Sequence, residues 1–116
     1  MYIWRWVNIT DIKKIESNLP IIYKTGKVLI GFNNVKWALS NEQDKIKAIL
    51  LARNIPEEHE EEIMKLVKSI NREIPVIKLT KTNIEIGDLC GRPHSISTLV
   101  IYDIGSAPIS EDIFYG

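Results

Sequence analysis

The sequence predicts an α/β domain, and three observations carry the prediction. Short runs of branched apolar residues alternate along the chain with stretches whose apolar side chains recur every three to four positions. Turn-forming residues separate the two kinds of segment, with no internal repeat or low-complexity tract. The length of 116 residues holds one domain, and 45% hydrophobic with 26% charged residues is the balance of a chain that buries a core.

The elements follow in order. Tyr2, Trp4 and Trp6 alternate with Ile3, Arg5 and Val7, the period of a short added strand or of an arm packed on the body. Ile9, Ile12, Ile15 and Leu19 mark one face of a first helix, which Pro20 is expected to stop. Thr25-Gly26 is a turn, and Lys27 to Gly31 reads as a strand covered on both faces, because its apolar run is unbroken. Asn33 or Asn34 is placed to cap a second helix running through Trp37, Ala38 and Leu39. A polar loop from Asn41 to Asp44 precedes a second strand, Ile46 to Ala52.

Ile55-Pro56 opens a third helix, where the missing proline N–H costs nothing. That helix starts with Glu57, Glu58, Glu60, Glu61 and Glu62 and is expected to end with Lys65, Lys68 and Arg72, which opposes its dipole at both ends. Pro75 to Leu79 is a third strand. Thr82 and Glu85 have capping-box spacing at the head of a short helix through Ile86 and Leu89, with Gly91 as its left-handed stop. Ser97 to Asp103 is the fourth strand, and the tail beyond it carries Ile109, Ile113, Phe114 and Tyr115, which can pack back.

Composition narrows the function. Fifteen basic and fifteen acidic residues give zero formal charge, which argues against coating nucleic acid or an anionic membrane by charge alone. With the five glutamates of the third helix set aside as structural, the remainder is moderately basic, so a local RNA site is compatible with the charge. Cys90 has no disulfide partner, and with His59 and His94 it makes no zinc-ligand spacing, so neither metal nor cofactor is expected. The apolar run Met1 to Val7 is far shorter than a membrane span of about 20 residues and lacks signal-peptide features, so the expected compartment is the cytoplasm.

Three segments, Thr25 to Gly31, Ala52-Arg53-Asn54 and Asn83 to Ser97, come in an order that resembles the archaeal and eukaryotic large-subunit ribosomal protein family L-thirty-e. That family lies within the L-seven-A-e superfamily of kink-turn RNA-binding proteins. The resemblance covers about residues 9 to 106, is most specific from Asn83 to Ser97, and suggests a divergent archaeal member. It implies a three-layer α/β/α sandwich around a four-stranded mixed sheet, no catalysis and no small-molecule substrate. On this reading residues 1–8 form an aromatic arm, 9–106 the RNA-binding domain and 107–116 a tail. The implied partner is ribosomal RNA with a kink-turn or internal loop, and Trp4 and Trp6 are candidates for contact with neighbouring ribosomal proteins.

The resemblance also implies the site. One segment is the turn after the first strand with the helix it opens, Gly31, Asn33, Asn34 and Lys36, joined by Lys27. The other is the loop before the last strand, Arg92, Pro93, His94, Ser95 and Ile96. The residue types suit RNA. Gly31 admits close backbone approach, helix-start N–H groups take a phosphate, and asparagine amides read base edges. Lys27 and Lys36 neutralise phosphates, and His94 and Ile96 stack on an unpaired base. Three positions depart from the family pattern. Trp37 stands where a basic residue is usual, Asn34 stands where the L-seven-A-e branch has Glu, and His94 stands where some members have Phe.

Plainer readings stand beside these. One asparagine caps a helix while the other sits in a turn, Arg92 and His94 decorate an exposed loop, and Lys24, Lys27, Lys36, Lys45 and Lys47 are solvated surface charges. Trp4, Trp6 and Trp37 are core or interface anchors. Two rival functions remain at this level: a protein-interaction module of a ribonucleoprotein that kept the fold and lost autonomous RNA binding, and a thiol enzyme using Cys90 and His94. The second rival requires a depressed thiol pKa.

Overall fold

Ile15, Leu19 and Ile22 recur at helical spacing and are fully buried, and the helix they form, α1 (Ile9–Thr25), continues through Pro20. An interior proline costs about 3 kcal/mol in a lost hydrogen bond and a ring clash. Leu19 and Ile22 bury apolar surface on either side of it, which offsets that cost. The expected stop at Pro20 is thus overridden by packing. The computed structural model describes residues 9–115, the side chain of Tyr115 excepted, so the arm with Trp4 and Trp6 lies outside the described residues.

After Gly26 the chain enters β1 (Lys27–Ile30), then α2 (Phe32–Asn41), a 3₁₀ turn at Gln43–Lys45 and β2 (Ala48–Leu51). α3 (Glu57–Ser69), β3 (Val76–Lys78), α4 (Asn83–Leu89) and β4 (Thr98–Asp103) follow, with a final 3₁₀ turn at Glu111–Tyr115. The sheet order is β1-β4-β2-β3: β4 is antiparallel to both β1 and β2, and β2 is parallel to β3. The sheet is therefore four-stranded and mixed.

Alternation along the central strands divides the core into two layers. Ala48, Leu50, Leu99 and Ile101 face α1, α4 and the tail, where Phe114 is fully buried. Ile49, Leu51, Val100 and Tyr102 face α2 and α3, packing on Val35, Leu39, Ile63 and Met64. Helices on both faces complete the three-layer sandwich. β2 is buried throughout and β4 up to Tyr102, but β1 is only half-buried, because it is an edge strand rather than the doubly covered one its apolar run suggests.

Local signals fare unevenly. Thr82 and Glu85 form the capping box, and Gly91 adopts φ +71° just past α4. Neither Asn33 nor Asn34 caps α2: the N-cap position is Gly31, and Asn34 Nδ2 instead donates to the Ile30 carbonyl at 2.8 Å. Arg72 lies beyond the end of α3 and donates to the carbonyls of Gln43 and Ile46, tying the chain ahead of β3 to the chain ahead of β2.

Candidate nucleic-acid interface

The two predicted RNA-facing segments lie at the same end of the sandwich. Gly31 donates its N–H to the Thr98 carbonyl at 3.1 Å, which splices the end of β1 to the start of β4. Antiparallel pairing of these strands puts the α2 start and the loop that precedes β4 at one end of the sandwich. Gly31 has φ +106° and ψ 147°, a backbone conformation open in practice to glycine alone, and this turns the chain from strand into helix without a linker.

The second segment is seated on α4. A Cβ at Gly87 would stand 2.3 Å from the His94 carbonyl, so the loop lies directly on the helix backbone. Ile96 donates its N–H to Asn83 O at 3.0 Å, and Ala52 donates to Ser97 O at 2.8 Å. Pro93, His94 and Ser95 are exposed between these anchors, as are Asn33 and Asn34 on α2.

Three expected contacts are placed otherwise. The Ile96 side chain is only 1% exposed and lies in the core beside Leu19, Leu50, Leu79 and Leu99, so it anchors the loop instead of offering a face to a base. Lys27 pairs with Asp103 at the other end of β1, about 10 Å away at strand rise, with its ammonium 5.6 Å from the Tyr102 ring centre. Lys36 Nζ lies 2.7 Å from Glu62 Oε1 on α3 and 5.1 Å from the centre of the Phe32 ring, which itself stacks on His59 at 3.9 Å. The hydrogen bond from Lys36 holds the Glu62 carboxyl below the usual range.

Two more of the surface lysines lie away from the first loop. Lys45 pairs with Glu42 and Lys47 with Glu111 at the opposite end of the sheet. There the Lys45 and Tyr102 hydrogen bonds lower the Glu42 carboxyl. Burial, with Glu42 as acceptor, pushes the Tyr102 hydroxyl up to about 12.

The cations at the splice are others. Arg53 donates its N–H to the Lys81 carbonyl at 2.9 Å, and both charges act on Glu85 at the head of α4, whose carboxyl is lowered chiefly by the Thr82 N–H it accepts. Beside them Asn54 and Asn83 exchange two 2.9 Å hydrogen bonds, Asn54 Nδ2 to Asn83 Oδ1 and Asn83 N–H to Asn54 Oδ1. Arg92 is half-buried, donating from Nη1 to the Tyr23 hydroxyl at 3.3 Å. Its Nε is buried without a hydrogen-bond partner among the described residues. Arg53, Asn54 and Lys81 were findable from the sequence by a general rule of open α/β sheets, in which ligands gather outside the carboxyl ends of the strands.

Cys90 is 8% exposed at the end of α4, and burial pushes its thiol up, opposite to what a nucleophile requires. Among the described residues no cluster of His, Cys, Asp and Glu could hold a metal ion, and no helix is long and apolar enough to cross a membrane.

Comparison with known proteins agrees with the fold. The chain is 35% identical over 95 residues to "Large ribosomal subunit protein eL30" of Methanosarcina mazei, covering 82% of this chain and 84% of that one. It is 30% identical over 108 residues to the protein of the same name from Sulfurisphaera tokodaii, covering 93% and 98%. A solved structure of a protein of unknown function from Bacillus halodurans superposes with TM-score 0.64 at 14% identity, over 83% of this chain and 87% of that one, which shows a shared fold. The profile of the "Ribosomal protein L7Ae/L30e/S12e/Gadd45 family" matches residues 13–111, and the chain belongs to that family.

Proposed function

We propose that this protein is an RNA-binding structural component of the large ribosomal subunit, working on cytoplasmic ribosomes. It grips a kink-turn or internal loop of ribosomal RNA at the spliced end of the sandwich. The reading is carried by the Gly31–Thr98 hydrogen bond, which makes one surface of two segments some sixty residues apart in sequence. Asn33, Asn34 and the exposed stretch Pro93-His94-Ser95 supply polar edges and an imidazole face, while Arg53, Lys81 and Arg92 supply the charge. Lys27 and Lys36, engaged elsewhere, do not contribute to the charge. Trp4 and Trp6 serve contacts with neighbouring ribosomal proteins.

The test is a gel-shift titration against a kink-turn RNA at two salt concentrations. Replacing Asn33, Arg92 and His94 together with Ala lowers affinity at least tenfold while circular dichroism stays native; unchanged affinity removes this site. The rival protein-interaction module draws support from the pairing of Lys36 with Glu62, which removes a cation from α2. The same titration with a particle-assembly assay separates the two: an intact chain that joins the particle without measurable RNA affinity, and fails to join once residues 1–8 are deleted, favours the rival.

A further inference from the structure

Trp37 is 52% exposed, and among the described residues only Ile9 and Ile84 are other large hydrophobic side chains so open. It lies on α2 one helical turn, about 6 Å along the axis, beyond Asn33. The positions three and four residues to either side are Asn33, Asn34, Ser40 and Asn41, all exposed and all polar. Asn41 Nδ2 donates to the Trp37 carbonyl at 3.0 Å, and Asn34 Nδ2 to the Ile30 carbonyl, so both amides are held against the helix backbone. The lysine of α2 is spent on Glu62, leaving this outward face with no cation.

A protein partner selects an aromatic anchor set in an apolar, desolvated patch. Here a single indole stands among amides, which suits a planar group with hydrogen-bonding edges. We propose that Trp37 is a stacking platform for one unpaired nucleobase of the bound RNA, so that this flank of α2 holds RNA by π contact rather than by charge. The inference rests on the RNA-binding reading above and extends its footprint from the spliced end along the helix.

The experiment uses the full chain carrying Trp4→Phe and Trp6→Phe, in which Trp37 is the remaining tryptophan. Titration with a kink-turn RNA quenches its fluorescence with the midpoint seen by gel shift. In the otherwise unchanged chain, Trp37→Ala weakens binding about five- to a hundredfold with unaltered salt dependence. Trp37→Phe loses less than about threefold, since a phenyl ring still stacks. Unchanged affinity of Trp37→Ala, or undisturbed emission at saturation, overturns the proposal while leaving the site at the spliced end intact. Retained RNA affinity with lost particle association overturns it in favour of a protein contact. Absence of binding by the intact chain overturns both this inference and the reading beneath it.

Discussion

Lys36 Nζ sits 2.7 Å from Glu62 Oε1, which joins the outer edge of α2 to α3 and commits a conspicuous basic residue near the first loop to an internal pairing. Both side chains are partly solvated, so the pair adds little to stability. Its consequence is for recognition. Lys36→Ala changes RNA affinity by less than about threefold and leaves the salt slope within one ion of the parent. Carbon-detected titration of Glu62 in that variant shows its carboxyl returning upward, since the lysine is the first cause of its lowering.

On the proposed reading Arg53 and Lys81, whose backbones are joined by the Arg53 N–H to Lys81 carbonyl bond, supply charge to the RNA together with Arg92. Arg53→Ala and Lys81→Ala each weaken binding across RNA sequences alike, and each reduces the slope of log affinity against log salt by about one. Gel shifts at three salt concentrations check this; slopes identical to the parent's would move the phosphate path elsewhere.

Glu16 is 3% exposed, and its carboxyl oxygens accept both the N–H and the hydroxyl of Thr80, at 2.8 and 2.9 Å. The contact ties α1 to the loop that carries Lys81 and opens α4. Glu16→Ala leaves the Thr80 donors unpaired beside a void, at a cost of about 1–3 kcal/mol. Urea unfolding measures the loss, and a cost near zero would mean that water replaces the carboxyl group.

The capping box at Thr82 and Glu85 makes α4, and the loop resting on it, sensitive to acid. The Thr82 N–H holds the Glu85 carboxyl below its ordinary value of 4.5, so the folded state favours the charged form. Stability from this group is therefore present above the unfolded value and is lost as pH falls through the folded one. Thermal unfolding between pH 6 and 3, an acid window chosen about the ordinary Glu value, falls less steeply in Glu85→Gln than in the parent. Parallel curves would deny the carboxylate this role.

Cys90 reacts with a thiol reagent only on unfolding, because burial both covers the sulfur and raises its pKa. Stopped-flow labelling at neutral pH gives a native rate at least tenfold below the rate in guanidinium. Equal rates would reopen the thiol-enzyme reading, and so would loss of function in Cys90→Ala.

Signals whose physics is complete within a few residues were legible in the chain itself. The Thr82–Glu85 box closes within one helical turn, Gly91 answers a local need for positive φ, and the order of strands and helices follows from periodicity. Family resemblance added the two segments of the site. Pro20 shows the limit of local rules: its cost to a helix is real, yet the burial of Leu19 and Ile22 on both sides comes from elements far away in sequence.

By itself the amino-acid order determined the α/β class, the three-layer expectation through resemblance, and the two loops to compare. Only the tertiary structure decided which side chains in them face outward. It put β1 at the edge, turned Ile96 inward, paired Lys36 with Glu62, and brought Arg53 and Lys81 to the spliced end. The reason is that a side chain's partner is chosen by whatever the fold sets beside it, and nothing in the spacing around Lys36 announces a glutamate twenty-six residues later.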